Sequence, residues 1–205
     1  MGWGRGRAAP RPRPGPQRAP ARALSPGDSS QRGRAADGPR SPDRAAAANL
    51  EACRPPFRPL AEEAAWWVGY LPEDWERAGR PFERSLLDAA VSALEELAPT
   101  QGEQVLVHQD LHGENVLAAE REPWLVIDPK PLAGEREFGL ASIIRSFELG
   151  HSERDVVGRL DRLTSELGLD RERARGWALG QTMGSVDSDY RSSHLDTARW
   201  LLQAT

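Results

Sequence analysis

The chain has 205 residues, a formal net charge of −4, and 39% apolar against 28% charged side chains, enough for one domain with a buried core. The charge is unevenly spread: residues 1–50 hold 10 Arg, 3 Asp, 8 Pro, 7 Gly and 11 Ala and carry +7, while the remaining 17 basic and 28 acidic residues leave −11. An acidic body of that kind argues against nucleic acid as the principal ligand. A single cysteine, Cys53, excludes an internal disulfide framework and is expected in a reducing, cytoplasmic setting. No apolar run approaches the ~20 residues of a membrane span, so no membrane association is expected.

Residues 1–56 have little to bury and are dense in proline and glycine, which predicts a disordered Arg/Pro/Ala/Gly-rich extension. A basic tail touching anionic partners and a transit peptide are alternative readings of the same composition. Gly2-x-Gly4-x-Gly6 follows no strand pattern and carries no phosphate-binding weight. From residue 57 the pattern is globular. Leu60–Tyr70 is predicted as a helix that ends near Pro72. Residues 81–98 read as a second helix, with Phe82, Leu86, Leu87, Ala90, Val91, Leu94 and Leu97 on one stripe. The period then shortens. Val105–Val107, Val116–Leu117 and Trp124–Ile127 read as three short strands. After Gly134 helical spacing returns, with Ser152-x-x-Asp155 capping one helix, Asp170 starting another toward Met183, and a last helix over 192–203. The order predicts an α+β fold, a small sheet on a helical body.

The chemistry concentrates in His108-Gln-Asp-Leu-His-Gly-Glu-Asn115 and Trp124-Leu-Val-Ile-Asp128. A hairpin folded about the 121/122 midpoint places Asn115 opposite Asp128, and opposed side chains lie roughly 4.5–5.5 Å apart at Cβ. An amide oxygen and a carboxylate so placed suit one hard cation, with positions left for phosphate and water. Asp110, in the loop facing that cation, is placed to accept a proton from an incoming hydroxyl. The alternation His108, Asp110, His112 also admits a zinc reading, but His151 and His194 lie in predicted helical stretches without partners. Lys130, the sole lysine, reads either as a phosphate or substrate contact or as a solvated loop charge. Trp66 and Trp67 read as one packing residue and one ring available for stacking.

The His-x-Asp-Leu-His-x-x-Asn-Val-Leu loop and the Val-Ile-Asp-Pro-Lys-Pro-Leu that follows resemble the aminoglycoside phosphotransferase branch of the kinase-like fold, nearest its streptomycin and hydroxyurea phosphotransferases. The resemblance covers about three quarters of the chain, from about Phe57 to its end. It implies a kinase-like C-terminal lobe over 57–205 and transfer of the γ-phosphoryl group of ATP to a hydroxyl of a small, aminoglycoside-like antibiotic. Asp110 then matches the catalytic base and His108 the histidine that braces the loop. Asn115 and Asp128 match the magnesium ligands, Lys130 is a further candidate nucleotide contact, and His112 has a structural role. The pattern departs from the family in three places. Residues 1–56 hold no lysine and no strand pattern where the family's ATP-cradling N-terminal lobe stands, so the chain looks like a C-terminal lobe alone. Gly139 stands where the family has an Asp that fastens the catalytic loop from beneath, and Glu114 where it commonly has a small residue. These departures leave an alternative: a catalytically inactive kinase-like remnant, or a small-molecule or partner-binding module.

Overall fold

In the computed structural model, residues 57–186 and 191–204 are described; the predicted extension over 1–56 and Cys53 lie outside them. The elements among the described residues are α1 (Leu60–Arg77), α2 (Arg84–Leu97), β1 (Val105–His108), β2 (Val116–Ala118), β3 (Trp124–Val126), β4 (Pro131–Gly134), α3 (Ala141–Ile144), α4 (Glu153–Leu167), α5 (Arg171–Met183) and α6 (Arg191–Gln203), with short 3₁₀ turns between them. The architecture is α+β, as expected, and mostly helical. No helix among the described residues is long and apolar enough to cross a membrane.

Helix α1 does not stop at Pro72 but runs one and a half turns past it. An interior proline removes one helical hydrogen bond at a cost of about 3 kcal/mol. Burial of Leu71 before it and Trp75 after it offsets that loss, since each large apolar side chain gains about 1.5–3 kcal/mol on leaving water. Trp75 is further fixed by its indole N–H, which donates to the Phe82 carbonyl at 3.0 Å. Trp67 is buried, and Trp66 is 53% exposed and lies flat on Tyr70 with ring centroids 4.6 Å apart.

The sheet is two separate antiparallel pairs, β1 with β4 and β2 with β3. The strand β4 was not expected from Lys130-Pro-Leu-Ala-Gly, because proline weakens a strand reading. Pro131 is tolerated because it opens the strand, paired with His108 at the end of the ladder. On its outer side β4 meets the entry to α1: the Ala133 N–H donates to the Arg58 carbonyl at 2.9 Å. A Cβ on Gly134 would lie 2.5 Å from Leu60 Cβ, so glycine is what allows strand and helix to touch there.

Helix α5 is the central post, buried without a break from Gly176 to Met183. One side of it joins a core with Leu60, Trp67, Leu86, Leu94, Val105 and Phe138 through Trp177. The other side joins a second core with Leu111, Ile144, Leu160 and Leu201 through Ala174 and Ala178. Trp177 stands edge-on to Phe138, with centroids 5.6 Å apart and planes at 89°, a favoured aromatic geometry. The predicted caps form: Ser152 Oγ accepts from the Asp155 N–H at 3.2 Å, and Asp170 Oδ1 from the Arg173 N–H at 3.0 Å.

Candidate active site

The loop from His108 to Asn115 leaves β1, makes a 3₁₀ turn at Gly113–Asn115 and enters β2. The hairpin register differs by one residue from the expected one. Val116 pairs with Val126 and Leu117 with Leu125, and the Ile127 N–H donates to the Asn115 carbonyl at 2.9 Å, so Ile127 and not Asp128 stands opposite Asn115. A one-residue slip exchanges the faces of a strand; Asp128 therefore reaches this end of the hairpin as the residue after the last rung. There the chain turns sharply, with Asp128 at φ 50°, a left-handed conformation that Asp tolerates better than most residues.

His108 joins the two ends of the site. Its Nδ1 accepts the Asp110 N–H at 3.0 Å, so the other ring nitrogen, Nε2, carries the proton and donates to the Ile127 carbonyl at 3.2 Å. One buried imidazole thus holds both the backbone of Asp110 and the peptide preceding Asp128. Asn115, also buried, donates from Nδ2 to the Asp110 carbonyl at 2.9 Å and to His112 Nε2 at 3.2 Å. With both amide hydrogens used, its Oδ1 is left as the acceptor. That oxygen and the exposed Asp128 carboxylate are hard donors of the kind magnesium takes.

Asp110 is ion-paired. Lys130 Nζ lies 2.5 Å from its Oδ2, and Arg145 Nη2 lies 4.0 Å from Oδ1. Partial burial pushes the Asp110 carboxyl up, but the bond and charge of Lys130, with His112 and Arg145, outweigh it and hold the group below its ordinary value. For Arg145, burial is the main influence and lowers the guanidinium from its usual range, with Asp110 opposing.

The loop is fastened from beneath, by a route the sequence reading did not contain. The Gln109 carbonyl accepts from Ser142 Oγ at 2.8 Å and from Gln181 Nε2 at 2.6 Å, and the Gln109 side chain donates to Glu63 Oε1 at 2.7 Å. Ser142 and Gln181 thus secure the loop although Gly139 carries no side chain. Beside Asp110 opens a cleft of about 350 Å³, lined among others by His112, Glu114, Arg145, Glu148 and His194. Ser146 in its lining is held by Arg159, whose guanidinium donates to the Ser146 carbonyl and to those of Ile144, Leu149 and Gly150. Arg145, Ser142, Gln181 and Arg159 were missed because they lie 27 or more residues from the loop and share no motif with it. His151 and His194 are each hydrogen-bonded within the fold: His151 Nε2 lies 3.1 Å from the Ser193 carbonyl and 3.0 Å from Thr197 Oγ1, and His194 lies between the Ser185 carbonyl and Arg145.

The Asp110 carboxylate thus lines the cleft with a cation on it, at the end of the hairpin where Asn115 and Asp128 stand. Over residues 45–189 the chain matches the family described as aminoglycoside/hydroxyurea antibiotic resistance kinase, and it belongs to that family. It is 46% identical to a hydroxyurea phosphotransferase of Kitasatospora aureofaciens over 139 residues, covering 66% of this chain and 39% of that protein. It is 44% identical to a streptomycin 6-kinase of Streptomyces griseus, covering 63% of this chain and 43% of that protein. The corresponding enzyme of Streptomyces glaucescens is 42% identical, with 69% of this chain and 48% of that protein covered. The chain therefore spans less than half the length of these curated relatives. No solved structure matches it.

Proposed function

We propose that this chain is the catalytic, kinase-like C-terminal lobe of an ATP-dependent phosphotransferase that moves the γ-phosphoryl group to a hydroxyl of a small antibiotic of the streptomycin or hydroxyurea kind. The observation that carries the reading is Asp110, held at the cleft by Lys130 and by the His108–Ile127 bridge. Asp110 orients the acceptor hydroxyl and takes its proton. In a loose transition state little basicity is needed early, so a carboxylate kept ionised by a neighbouring cation is suited to the task. Lys130 offers its positive charge to the phosphoryl oxygens next to the carboxylate it already binds. His108 sets the height of Asp110, and Ser142 and Gln181 keep the loop from sinking. Asn115 and Asp128 would hold magnesium, which when bound neutralises phosphate charge.

A second reading, a binding module without turnover, is favoured by one fact: the chain's sole lysine is committed to Asp110, so no other lysine of this chain is there to hold the α- and β-phosphates. Titration calorimetry with Mg-ATP separates the two. The phosphotransferase reading expects binding that weakens at least about tenfold in Asp128→Asn, the loss typical of a charged contact near 1.4 kcal/mol. Absence of heat at millimolar nucleotide would leave the binding module.

A further inference from the structure

We infer that His112, Glu114 and Glu148 form a second, softer metal site at the acceptor side of the cleft, one that takes a first-row divalent ion such as zinc. One ligand atom from each of the three residues lies within 4.8 Å of the others. The set is one imidazole and two carboxylates, a donor mix that suits zinc and its neighbours and is unlike the all-oxygen pair at Asn115 and Asp128. The Glu148 carboxylate lies over the loop at Gly113, where a Cβ would stand 2.5 Å from its Oε2, and Arg159 holds the carbonyls of Ser146 before and Gly150 after the 3₁₀ turn Phe147–Leu149 that carries Glu148. His112 is also oriented: Nε2 is held by Asn115, which leaves Nδ1 directed toward Glu148 Oε1 at 3.7 Å. That separation is too long for a hydrogen bond and short enough for both atoms to share an ion. All three side chains line the same cleft as Asp110 and reach solvent at its mouth, so an ion can enter.

The site bears on its neighbour through one ring. A metal on Nδ1 places the single proton of the neutral imidazole on Nε2, which then faces the Asn115 Nδ2 hydrogens across 3.2 Å. Two donors in opposition require the amide to turn, and a turned amide presents nitrogen where Oδ1 stood. Occupation of the second site therefore works against the orientation of Asn115 that suits magnesium. Metal binding itself does not depend on the phosphotransferase reading; only this antagonism does.

Zinc alone, titrated calorimetrically into the full chain, is the direct test. One ion per chain is expected, with affinity reduced at least tenfold in each of Glu114→Gln and Glu148→Gln and unchanged in Asp128→Asn. Both glutamates are solvent-exposed, so the glutamine variants are expected to fold, which thermal melting verifies. In the ¹⁵N spectrum of the zinc-loaded protein, His112 is expected to show metal at Nδ1 and a proton at Nε2. The site is overturned by lack of zinc binding, by equal affinity in the two glutamine variants, or by loss in Asp128→Asn, which would put the ion on the oxygen pair. If zinc binds as expected while Mg-ATP does not bind at all, the second site stands and the phosphotransferase reading fails.

Discussion

At the scale of single residues, the Asp110–Lys130 pair decides the protonation of the proposed base. Lys130 is 57% exposed on its side chain and Asp110 26%, so removing the ammonium leaves a partly buried carboxyl beside Arg145 and His112. Lys130→Met is expected to raise the Asp110 pKa, read directly from the carboxyl ¹³C titration, and to move the acid limb of any pH–rate profile the same way. The linkage has a definite sign. A carboxyl held low in the folded state adds stability that is complete above its unfolded pKa and is lost as pH falls through the folded one, so wild type should lose more stability on acidification than Lys130→Met. The contacts of His108 and Asn115 with Asp110 fall within one short segment, which is why the loop motif and its resemblance could single these residues out. Ser142, Arg145 and Gln181 were not legible in that way, since they arrive from α3, its C-terminal edge and α5 and are joined to the loop only by tertiary contacts.

At the scale of elements, helix starts were readable wherever a side chain does the capping, as at Ser152 and Asp170. Ends governed by burial were not, and α1 passes Pro72 because Trp75 must reach the core. The hairpin register could not be fixed by a turn of mixed polar residues, and the one-residue error fell on Asp128. Close packing between α2 and α5 is open to test at Gly180, where a Cβ would lie 2.5 Å from Leu94 Cδ2. Gly→Ala in a helix gains about 1 kcal/mol in propensity, but overpacking a rigid core costs about 1–3 kcal/mol. With Leu94 fully buried the steric cost dominates, and Gly180→Ala is expected to lower the urea midpoint. Arg159→Leu strips donors from four carbonyls, among them that of Ser146 in the cleft lining. Leaving buried carbonyls without a donor costs about 1–3 kcal/mol for each one that water does not reach, so Tm should fall by about 10 °C, measured by calorimetry.

Across the whole molecule, one exposed clamp ties the start of α2 to α6. Arg199 donates to both oxygens of Glu83 at 2.7 and 3.0 Å, and this hydrogen bond, before any other influence, takes the Glu83 carboxyl from its ordinary 4.5 to about 2. The clamp is intact above the ordinary value and dissolves as pH falls through about 2. Both groups are about two-fifths exposed, so screening keeps its contribution below about 1 kcal/mol. Arg199→Gln should flatten the stability curve between those pH values and change little at neutrality, as urea titrations across pH will register. The α+β plan and the order of its helices were visible in the hydrophobic period, whereas the split into two strand pairs depends on long-range pairing of β1 with a proline-led strand. The central claim is that Asp110 accepts the proton of a hydroxyl as a phosphoryl group is transferred to it. Incubating the full chain with magnesium, γ-labelled ATP and streptomycin or hydroxyurea should give labelled antibiotic, and Asp110→Asn, with an unchanged melting curve, should lower that yield by about 10²–10⁴-fold, the usual worth of a general base. No labelled product from wild type, or equal yield from the variant, would contradict it.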